Sequence, residues 1–286
     1  FFCYRIKLVD QSGNQTLSNL LLMVVNPFVI ITVYQVAFDP ELVRGLLLSF
    51  LAAAIAHIAG ILISILLIRK GDGEDYCIER YNAIYSNCGF IGIPLISSVL
   101  GSTGVFYLSA YMIAFNIFSW THGVVLMEKK CSFKTIKEGL LSPIFIASII
   151  ALILFFAQIR IPAILLDPIE YVADMNTPLA MMIAGFSVAQ ADIGRMFRNI
   201  RLYFISAVKL LILPLVMIFI LKLIGLPLGV SQTILIAAAC PAAATGTMMA
   251  IRYKQNYTYS SEIFALSTIL SVITIPGIVF LSEMIL

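Results

Sequence analysis

The sequence predicts an all-α integral membrane protein with ten transmembrane helices, and its composition, apolar segments and charge distribution support this fold class. Of its 286 residues, 61% are hydrophobic and 12% are charged, and the mean hydropathy is +1.02. Soluble domains carry about 25% charged residues, so these values exclude a soluble globular domain. A membrane-spanning helix needs about 20 apolar residues, which gives this chain room for about ten crossings joined by short connections.

Nine apolar segments follow the N-terminal residues. Residues 1–4, which precede Arg5 and Lys7, are interpreted as the end of a truncated first helix, because a signal peptide needs a full apolar core. The longest polar connections lie at about 69–80, 128–139 and 159–174. Predicted helices 2 to 10 lie at about 17–38, 43–68, 83–100, 104–127, 140–158, 175–191, 202–224, 230–250 and 260–284.

Basic residues are unevenly distributed between alternate connections. Fourteen Lys and Arg residues follow odd-numbered predicted helices, whereas Arg44, Arg160 and Lys222 follow even-numbered ones. Cytoplasmic connections carry the excess of Lys and Arg. We therefore predict a multi-pass protein of the cell membrane with both termini extracytoplasmic. Lys209, inside predicted helix 8, is expected to reach the cytoplasmic surface by snorkelling.

The two halves of the chain resemble each other at an offset near 152 residues. Pro27 recurs as Pro178, and the segment around Pro94 recurs around Gly246. Five helices per half is an odd number, so the second half enters the membrane from the opposite side, as in the inverted repeats of secondary transporters. The predicted units are a first repeat at 1–128, a cytoplasmic connection at 129–139 and a second repeat at 140–286.

Predicted helices 4 and 9 contain residues that interrupt a helix, namely Gly89, Gly92 and Pro94 in the first and Pro241 and Gly246 in the second. Glycine costs about 1 kcal/mol and proline about 3 kcal/mol inside a helix. Interrupted helices at matching positions of two repeats indicate a transport site, and their half-helix N-termini suit an anion. The alternative interpretation is a pair of packing kinks at which small residues let helices approach closely.

The helix-4 string from Asn87 to Leu95 resembles the signature of the auxin efflux carrier family, which includes plant auxin exporters and bacterial malate or malonate permeases. The resemblance covers nearly the whole chain. It implies an inverted repeat like that of bile acid:sodium symporters, with helices 1, 2, 6 and 7 as a scaffold and helices 4 and 9 crossed in a moving domain. Further matching elements are Asn26-Pro27, Thr177-Pro178-Leu179-Ala180 with Gly185, Cys240-Pro241 through Tyr253, and Leu266 through Ser271.

The resemblance also implies roles for individual residues. The motif Asn that binds the substrate carboxylate in the plant exporters matches Asn87, and Pro94 matches a proline at the crossing point. The second crossing position falls on Gly246, where the plant proteins have proline. The short connection at 128–139 resembles the prokaryotic branch. The expected substrate-binding residues are Asn87, Cys88, Gly89, Gly92, Pro94, Pro241, Thr245 and Gly246, with no catalytic residue, metal ligand or cofactor.

The charged residues restrict the chemistry further. All fifteen acidic residues fall in predicted connections or near helix ends, whereas an intramembrane carboxylate is the usual proton relay or sodium ligand. This distribution favours an anion held by neutral donors. Five scattered cysteines give no disulfide framework, and a net charge of +3 without a basic run gives no sign of a nucleic-acid partner.

Three aromatic residues have two interpretations each. His57, midway along predicted helix 3, is either a functional ionisable group or a neutral imidazole bonded to a neighbouring helix. Trp120 and His122 fall in the cytoplasmic half of predicted helix 5. That segment lies near the binding site in the plant relatives, but an interfacial aromatic belt accounts for them equally well.

The sequence therefore predicts a secondary transporter of small organic anions, mono- or dicarboxylates such as malate, malonate or auxin-like acids, that works by alternating access. Its expected partners are the anion and the lipid bilayer, and a homodimer is left open. Import and export, and coupling to protons, sodium or neither, are all compatible with the sequence. The alternatives are a sodium-coupled symporter of bile-acid-like anions and a membrane ligand sensor. An enzyme is not expected, because no Ser–His–Asp order or H-E-x-x-H motif is found.

Overall fold

The computed structural model describes residues 10–70, 75–128, 141–190 and 193–286. Over these ranges the chain is helical apart from short connections. Predicted helix 1 and the connection at 129–139 lie outside the described residues. The helices are α1 Gln11–Leu20, α2 Asn26–Val33, α3 Pro40–Leu67, α4 Tyr76–Ile84, α5 Ile93–Phe118, α6 Val124–Glu128, α7 Pro143–Phe156, α8 Ala163–Asp174, α9 Asn176–Gln190, α10 Ile193–Arg198, α11 Ile200–Ala207, α12 Leu213–Ile224, α13 Leu228–Ala239, α14 Thr245–Arg252 and α15 Tyr257–Ile285. Single π-helical turns lie at Leu21–Val25, Cys88–Gly92, Ser119–Gly123 and Val208–Ile212.

By length and apolar composition, five helical stretches among the described residues can cross a bilayer. Two shorter apolar helices, α7 and α13, accompany them. These helices confirm an all-α multi-pass membrane protein, while the count of ten and the inverted repeat stay predictions. The five stretches are Ser12–Val33, Pro40–Leu67, Cys88–Glu128, Ile200–Ile224 and Tyr257–Ile285.

The stretch Cys88–Glu128 holds 41 residues and is bent at Gly101. A straight helix rises about 1.5 Å per residue, so 41 residues span about twice the roughly 30 Å hydrocarbon core. Gly101 has a φ of 64° and a ψ of −159°, a conformation open to glycine and costly for other residues. A Cβ atom on Gly104 would lie 2.5 Å from Leu100 Cβ, so the chain packs tightly at this bend. The bend lies between predicted helices 4 and 5.

The connection predicted at 159–174 is wrong in part, because α8 occupies all of it from Ala163 onward. Asp167, Glu170 and Asp174 interrupt the apolar segment, so hydropathy alone does not predict this helix. The helix begins after Pro162, and it tolerates Pro168 one turn later. It packs against α2, although it is too short and too charged to cross a membrane.

The helices pack in two groups, which contact each other where α2 and α7 pack against α5. In the first group, α2 packs against α7 and α8, and α1 packs against α9. In the second, α3, α5 and α13 pack on one another, and α15 contacts α11, α13 and α14. The first group contains predicted helices 2, 6 and 7, which the resemblance assigns to a scaffold. Within it Asn176 Nδ2 donates to Asn26 Oδ1 at 2.7 Å, so two residues near the predicted repeat offset contact each other.

Candidate functional site

The two interrupted helices meet where each is unwound, at residues 85–87 and 240–244. Ser86 and Ala242 form an antiparallel β-bridge between these breaks. Asn87 N–H donates to Pro241 O at 2.8 Å, and Ala243 N–H donates to Tyr85 O at 2.9 Å. Each break therefore supplies the partners that the other lacks, which allows irregular backbone inside a membrane protein.

The two bonds of the bridge are related by exchange of the breaks. Asn87 and Ala243 are the donors, and Pro241 and Tyr85 are the acceptors. Asn87 thus corresponds to Ala243 in this geometry. The crossing itself lies at Ser86 and Ala242, and the resemblance placed it elsewhere.

Pro94 and Gly246 do not lie at the crossing, which corrects that expectation. Pro94 is the second residue of α5, a position at which a missing N–H is tolerated. Gly246 is the second residue of α14, and Gly89 and Gly92 lie inside the π-helical turn that follows the first break. These residues start the helices on the far side of the breaks and do not unwind them.

A cavity of about 250 Å³ lies beside the crossing. Four of the expected binding residues line it, namely Asn87, Cys88, Gly89 and Thr245. Gly92, Pro94, Pro241 and Gly246 do not, and they lie buried in the packing around it. None of the described residues that line the cavity is charged.

Part of the cavity wall was missed in the sequence because it belongs to α1. Its polar residues recur at one-turn spacing, as Asn14 with Ser18 and Gln15 with Asn19, which was a usable signal of a polar helix face. The sequence predicts this helix only from about residue 17, so Asn14 and Gln15 fall before it and the polar face is cut in two. The polar lining residues that were missed are Asn14, Gln15, Ser18, Asn19, Ser86, Asn116, Thr247 and Ser261.

The side-chain amide nitrogen of Asn87 is buried without a hydrogen-bond acceptor among the described residues. Only 5% of the residue is exposed. Its backbone is fully used, since the carbonyl accepts from Ile91 N–H at 3.1 Å and from Gly92 N–H at 3.2 Å. An unpaired buried amide costs free energy unless a ligand or water satisfies it.

Both helical segments that leave the breaks begin without a side-chain cap. Asn87 and Ala244 precede them, and neither side chain accepts a hydrogen bond from the first turn. The N–H groups of a first turn have no acceptor inside the helix and carry partial positive charge. Thr245 adds a hydroxyl at the second start, 3.3 Å from Tyr81 Oη.

Lys209 is fully buried, so the expectation that it snorkels to the surface is wrong. Its Nζ donates to Ser86 Oγ at 2.5 Å, to Ala238 O at 3.1 Å and to Ile84 O at 3.4 Å. Three acceptors from two other segments hold the ammonium inside the protein. These acceptors are distant from Lys209 in the sequence, so the residues around Lys209 do not predict them.

His57 is buried, and its hydrogen bond stays within its own helix. Nδ1 lies 2.7 Å from Ala53 O, so this nitrogen carries the proton, because a carbonyl can only accept. The ring stacks on Phe118 at 5.1 Å and lies 4.9 Å from the Tyr111 ring. The expected bond to a neighbouring helix is therefore wrong, and His57 does not line the cavity.

Trp120 and His122 also lie outside the cavity wall. The Arg252 guanidinium lies 5.6 Å from the centroid of the Trp120 ring, and His122 Nδ1 lies 3.0 Å from Tyr85 Oη. Both residues thus connect predicted helix 5 to the chain around the two breaks.

Two acidic residues near helix ends are buried, Glu79 at 5% exposure and Glu262 at 2%. Arg201 binds Glu79 with two hydrogen bonds, of 2.9 and 2.7 Å, and Tyr259 Oη donates to the same carboxylate at 2.8 Å. Neither carboxylate lines the cavity, so both leave the anion-binding prediction unaffected.

Comparison with known families decides the identity of the chain. Residues 1–133 and 129–279 match the family described as membrane transport protein, which together cover nearly the whole sequence. The chain belongs to this family. The resemblance to auxin efflux carriers is thereby confirmed, and members of the membrane transport protein family are transporters. No curated protein matches the chain closely enough to count as a relative.

Proposed function

We propose that the chain is a secondary carrier of small organic anions, of the mono- or dicarboxylate class, and that the anion binds in the cavity beside the two breaks. The observation that carries the proposal is the Asn87 amide. It is buried at the wall of an uncharged cavity, and its Nδ2 has no acceptor among the described residues. A carboxylate entering the cavity would supply that acceptor.

The surrounding donors fit a carboxylate. At the segments beginning at Cys88 and Thr245, Cys88 N–H donates to Ser86 O and Gly246 N–H donates to Ala243 O. The other first-turn N–H groups carry partial positive charge, and the Thr245 hydroxyl can donate as well. Hydrogen bonds to a charged group contribute about 1.5–3 kcal/mol each. An uncharged wall with several such donors suits an anion better than a cation.

The size of the cavity favours a small substrate. Pockets for drug-sized ligands measure about 300–1,000 Å³, and this cavity holds about 250 Å³. A carboxylate of a few carbon atoms fits this volume, whereas a bile-acid-like anion needs more room. The volume therefore counts against the sodium-coupled symporter of large anions. No observation on the described residues favours a ligand sensor.

Alternating access would come from movement of the broken helices against the first helix group. Gly89, which follows the first break, faces this group, since a Cβ atom there would lie 3.2 Å from Asn26 Nδ2. Because Gly89 has no side chain, the turn after the first break can lie close to Asn26 of the first helix group beside the cavity. The exchange symmetry of the bridge and the Asn26–Asn176 contact support two inverted repeats as the basis of this movement.

The test is charge movement in proteoliposomes after concentration jumps of malate, malonate, indole-3-acetate and taurocholate, each with and without sodium. We expect sodium-independent currents with a small carboxylate. Asn87→Ala should weaken anion binding by about 10- to 150-fold, since it removes a charge-assisted hydrogen bond. Electroneutral exchange moves no net charge and gives no current, so it is detected by uptake of labelled substrate.

Asn116→Ala is the matched control, because Asn116 lines the same cavity but its Nδ2 already donates to Met112 O at 2.9 Å. We expect this variant to lose far less affinity than Asn87→Ala. Normal transport by a folded Asn87→Ala protein would overturn the site, and transport of taurocholate alone would overturn the substrate class.

A further inference from the structure

The buried ammonium of Lys209 occupies an unusual position in the fold. Lys209 lies in the π-helical turn between α11 and α12, and none of its surface is exposed. Its three hydrogen-bond acceptors come from Ile84, Ser86 and Ala238, so one side chain joins both interrupted helices to a third. An ammonium has three donors, and all three find an oxygen here.

Two of these oxygens belong to half-helix C-termini. Ile84 is the last residue of α4, and Ala238 lies in the last turn of α13. Carbonyl groups in the last turn of a helix have no intrahelical donor and carry partial negative charge. The Lys209 ammonium therefore neutralises the negative ends of both half-helices at the point where they converge.

These three acceptors, two backbone carbonyls and a hydroxyl, are the kind of oxygen ligands that hard cations such as sodium take. In transporters with interrupted helices, half-helix C-terminal carbonyls coordinate the coupling cation. We propose that Lys209 is a tethered cation that occupies the place of a coupling sodium ion, so that the carrier keeps its binding cavity intact without sodium.

The position of Ser86 links this cation to the cavity. Ser86 Oγ accepts from Lys209 Nζ, and Ser86 itself lines the cavity whose described wall carries no charge. The Lys209 ammonium is separated from the cavity by Ser86, and its positive charge attracts an anion in the cavity. This attraction is stronger inside a protein than in water. The role toward the anion rests on the proposed function, whereas the cation site can be tested on the protein alone.

The experiment measures thermal unfolding of the purified protein in detergent, in sodium chloride, potassium chloride and choline chloride at equal ionic strength. The probe is the sodium ion itself, so no knowledge of the substrate is needed. We expect the wild-type Tm to be the same in all three salts. Lys209→Ala, which empties the site, should lose several degrees in choline and regain most of the loss in sodium but not in potassium.

Two further variants of Lys209 distinguish a site that binds a cation from a lysine that only stabilises the packing of three helices. Lys209→Met fills the same space with an apolar chain, so we expect a lower Tm that no salt restores. Lys209→Gln keeps hydrogen-bond donors without the charge, and it serves as the second test should Lys209→Ala fail to fold. Lys222→Ala removes an exposed lysine from α12 of the same span and should change nothing in any salt.

Three results would overturn the proposal. They are a wild-type protein stabilised by sodium, a Lys209→Ala variant as stable as the wild type in choline, and equal losses in all salts for both Lys209→Ala and Lys209→Gln. These results are independent of whether any carboxylate is transported. Failure of the anion-carrier proposal, by contrast, would leave the sodium response of the Lys209 variants unchanged.

Discussion

The two breaks make reciprocal backbone hydrogen bonds but carry different side chains. The first, at residues 85–87, carries Ser86 and Asn87, whereas the second, at 240–244, consists of cysteine, proline and three alanines. Both contribute one donor and one acceptor to the bridge between them. The crossing therefore needs no particular side chain, and the polar residues of the first break are free for other contacts.

Those contacts differ for the two polar residues. Ser86 Oγ accepts from Lys209 Nζ at 2.5 Å, whereas Asn87 lines the cavity and its buried Nδ2 has no acceptor among the described residues. The half-helices that lead into the breaks differ in the same way. Glu79 in α4 binds Arg201 and Tyr259, whereas the last turns of α13 are held by buried apolar residues from Ile234 to Ala239. The first half of the crossing depends on polar contacts, and the second depends on packing.

The largest effect is expected for Ser86→Ala, which removes the short hydrogen bond to the Lys209 ammonium. A lost bond to a buried charge costs about 1.5–3 kcal/mol. Thermal unfolding in detergent should show a clear drop in Tm. Ser206→Ala is the control, because Ser206 is equally buried and its hydroxyl has no partner among the described residues. An equal loss for both variants would contradict the special role of the first break.

Gly246→Ala should come next, because it tests packing at the start of α14. A Cβ atom at this position would lie 2.7 Å from Asn82 Oδ1 and 3.3 Å from Ser260 Oγ. Asn82 is itself fixed by hydrogen bonds to Ile78 O and Ser260 Oγ, so it cannot move without losing them. Overpacking of this kind costs about 1–3 kcal/mol, measurable as a lower Tm and poorer expression. Wild-type stability would show that this helix start adjusts freely.

A smaller effect, confined to transport, is expected for Gly89→Ala. Its Cβ would press on Asn26 Nδ2 at 3.2 Å, at the surface between the first break and the first helix group. We expect slower transport with little change in Tm, measured by labelled-substrate uptake in proteoliposomes.

Gly92→Ala is the matched control for that substitution. Its Cβ would meet Cys88 Cβ at 3.4 Å and Cys240 Sγ at 3.6 Å, which are ordinary contact distances. Replacing a helical glycine with alanine stabilises by about 0.5–1 kcal/mol where the new Cβ meets no closer contact than these. Equal slowing of transport by both alanines would place the moving surface elsewhere.

The smallest effect is expected for Tyr259→Phe, which probes the polar anchoring of α4. The hydroxyl donates to Glu79 Oε1 at 2.8 Å, and its loss leaves the carboxylate bound to Arg201. One hydrogen bond contributes about 0.5–1.5 kcal/mol net, so we expect a small fall in Tm. Tyr257→Phe, at an exposed position on the same helix, should have no effect. A larger fall than that of Ser86→Ala would reverse the ranking of the polar contacts.

The sequence was sufficient for the membrane class, the family and the two interrupted helices, because apolar length, glycine and proline act locally. The helix-4 motif also singled out Asn87, which lines the cavity, and its role in binding a substrate stays a prediction. The crossing point was misplaced on Pro94 and Gly246, since local propensity shows where a helix is weak but not which backbone groups pair.

The burial of Lys209 was predicted wrongly, and the cavity wall of α1 was missed, for a related reason. Whether a lysine within a helix reaches water or binds inside is decided by oxygens from other segments, here Ile84, Ser86 and Ala238. Asn14 and Gln15 lie before the predicted start of helix 2, and the place of this polar face in the cavity wall depends on helices that are distant in the sequence.

The reciprocal bridge has a consequence for how such a site can diverge in evolution. In a self-complementary contact the same pair of bonds is made twice, with the two partners exchanged. Here both bonds are between backbone atoms, so the junction is held without any side chain. Ser86 and Asn87 stand on one side of it, and Ala242 and Ala243 on the other. A symmetric backbone thus tolerates an asymmetric set of side chains, and ligand preference can change on one side without rebuilding the crossing.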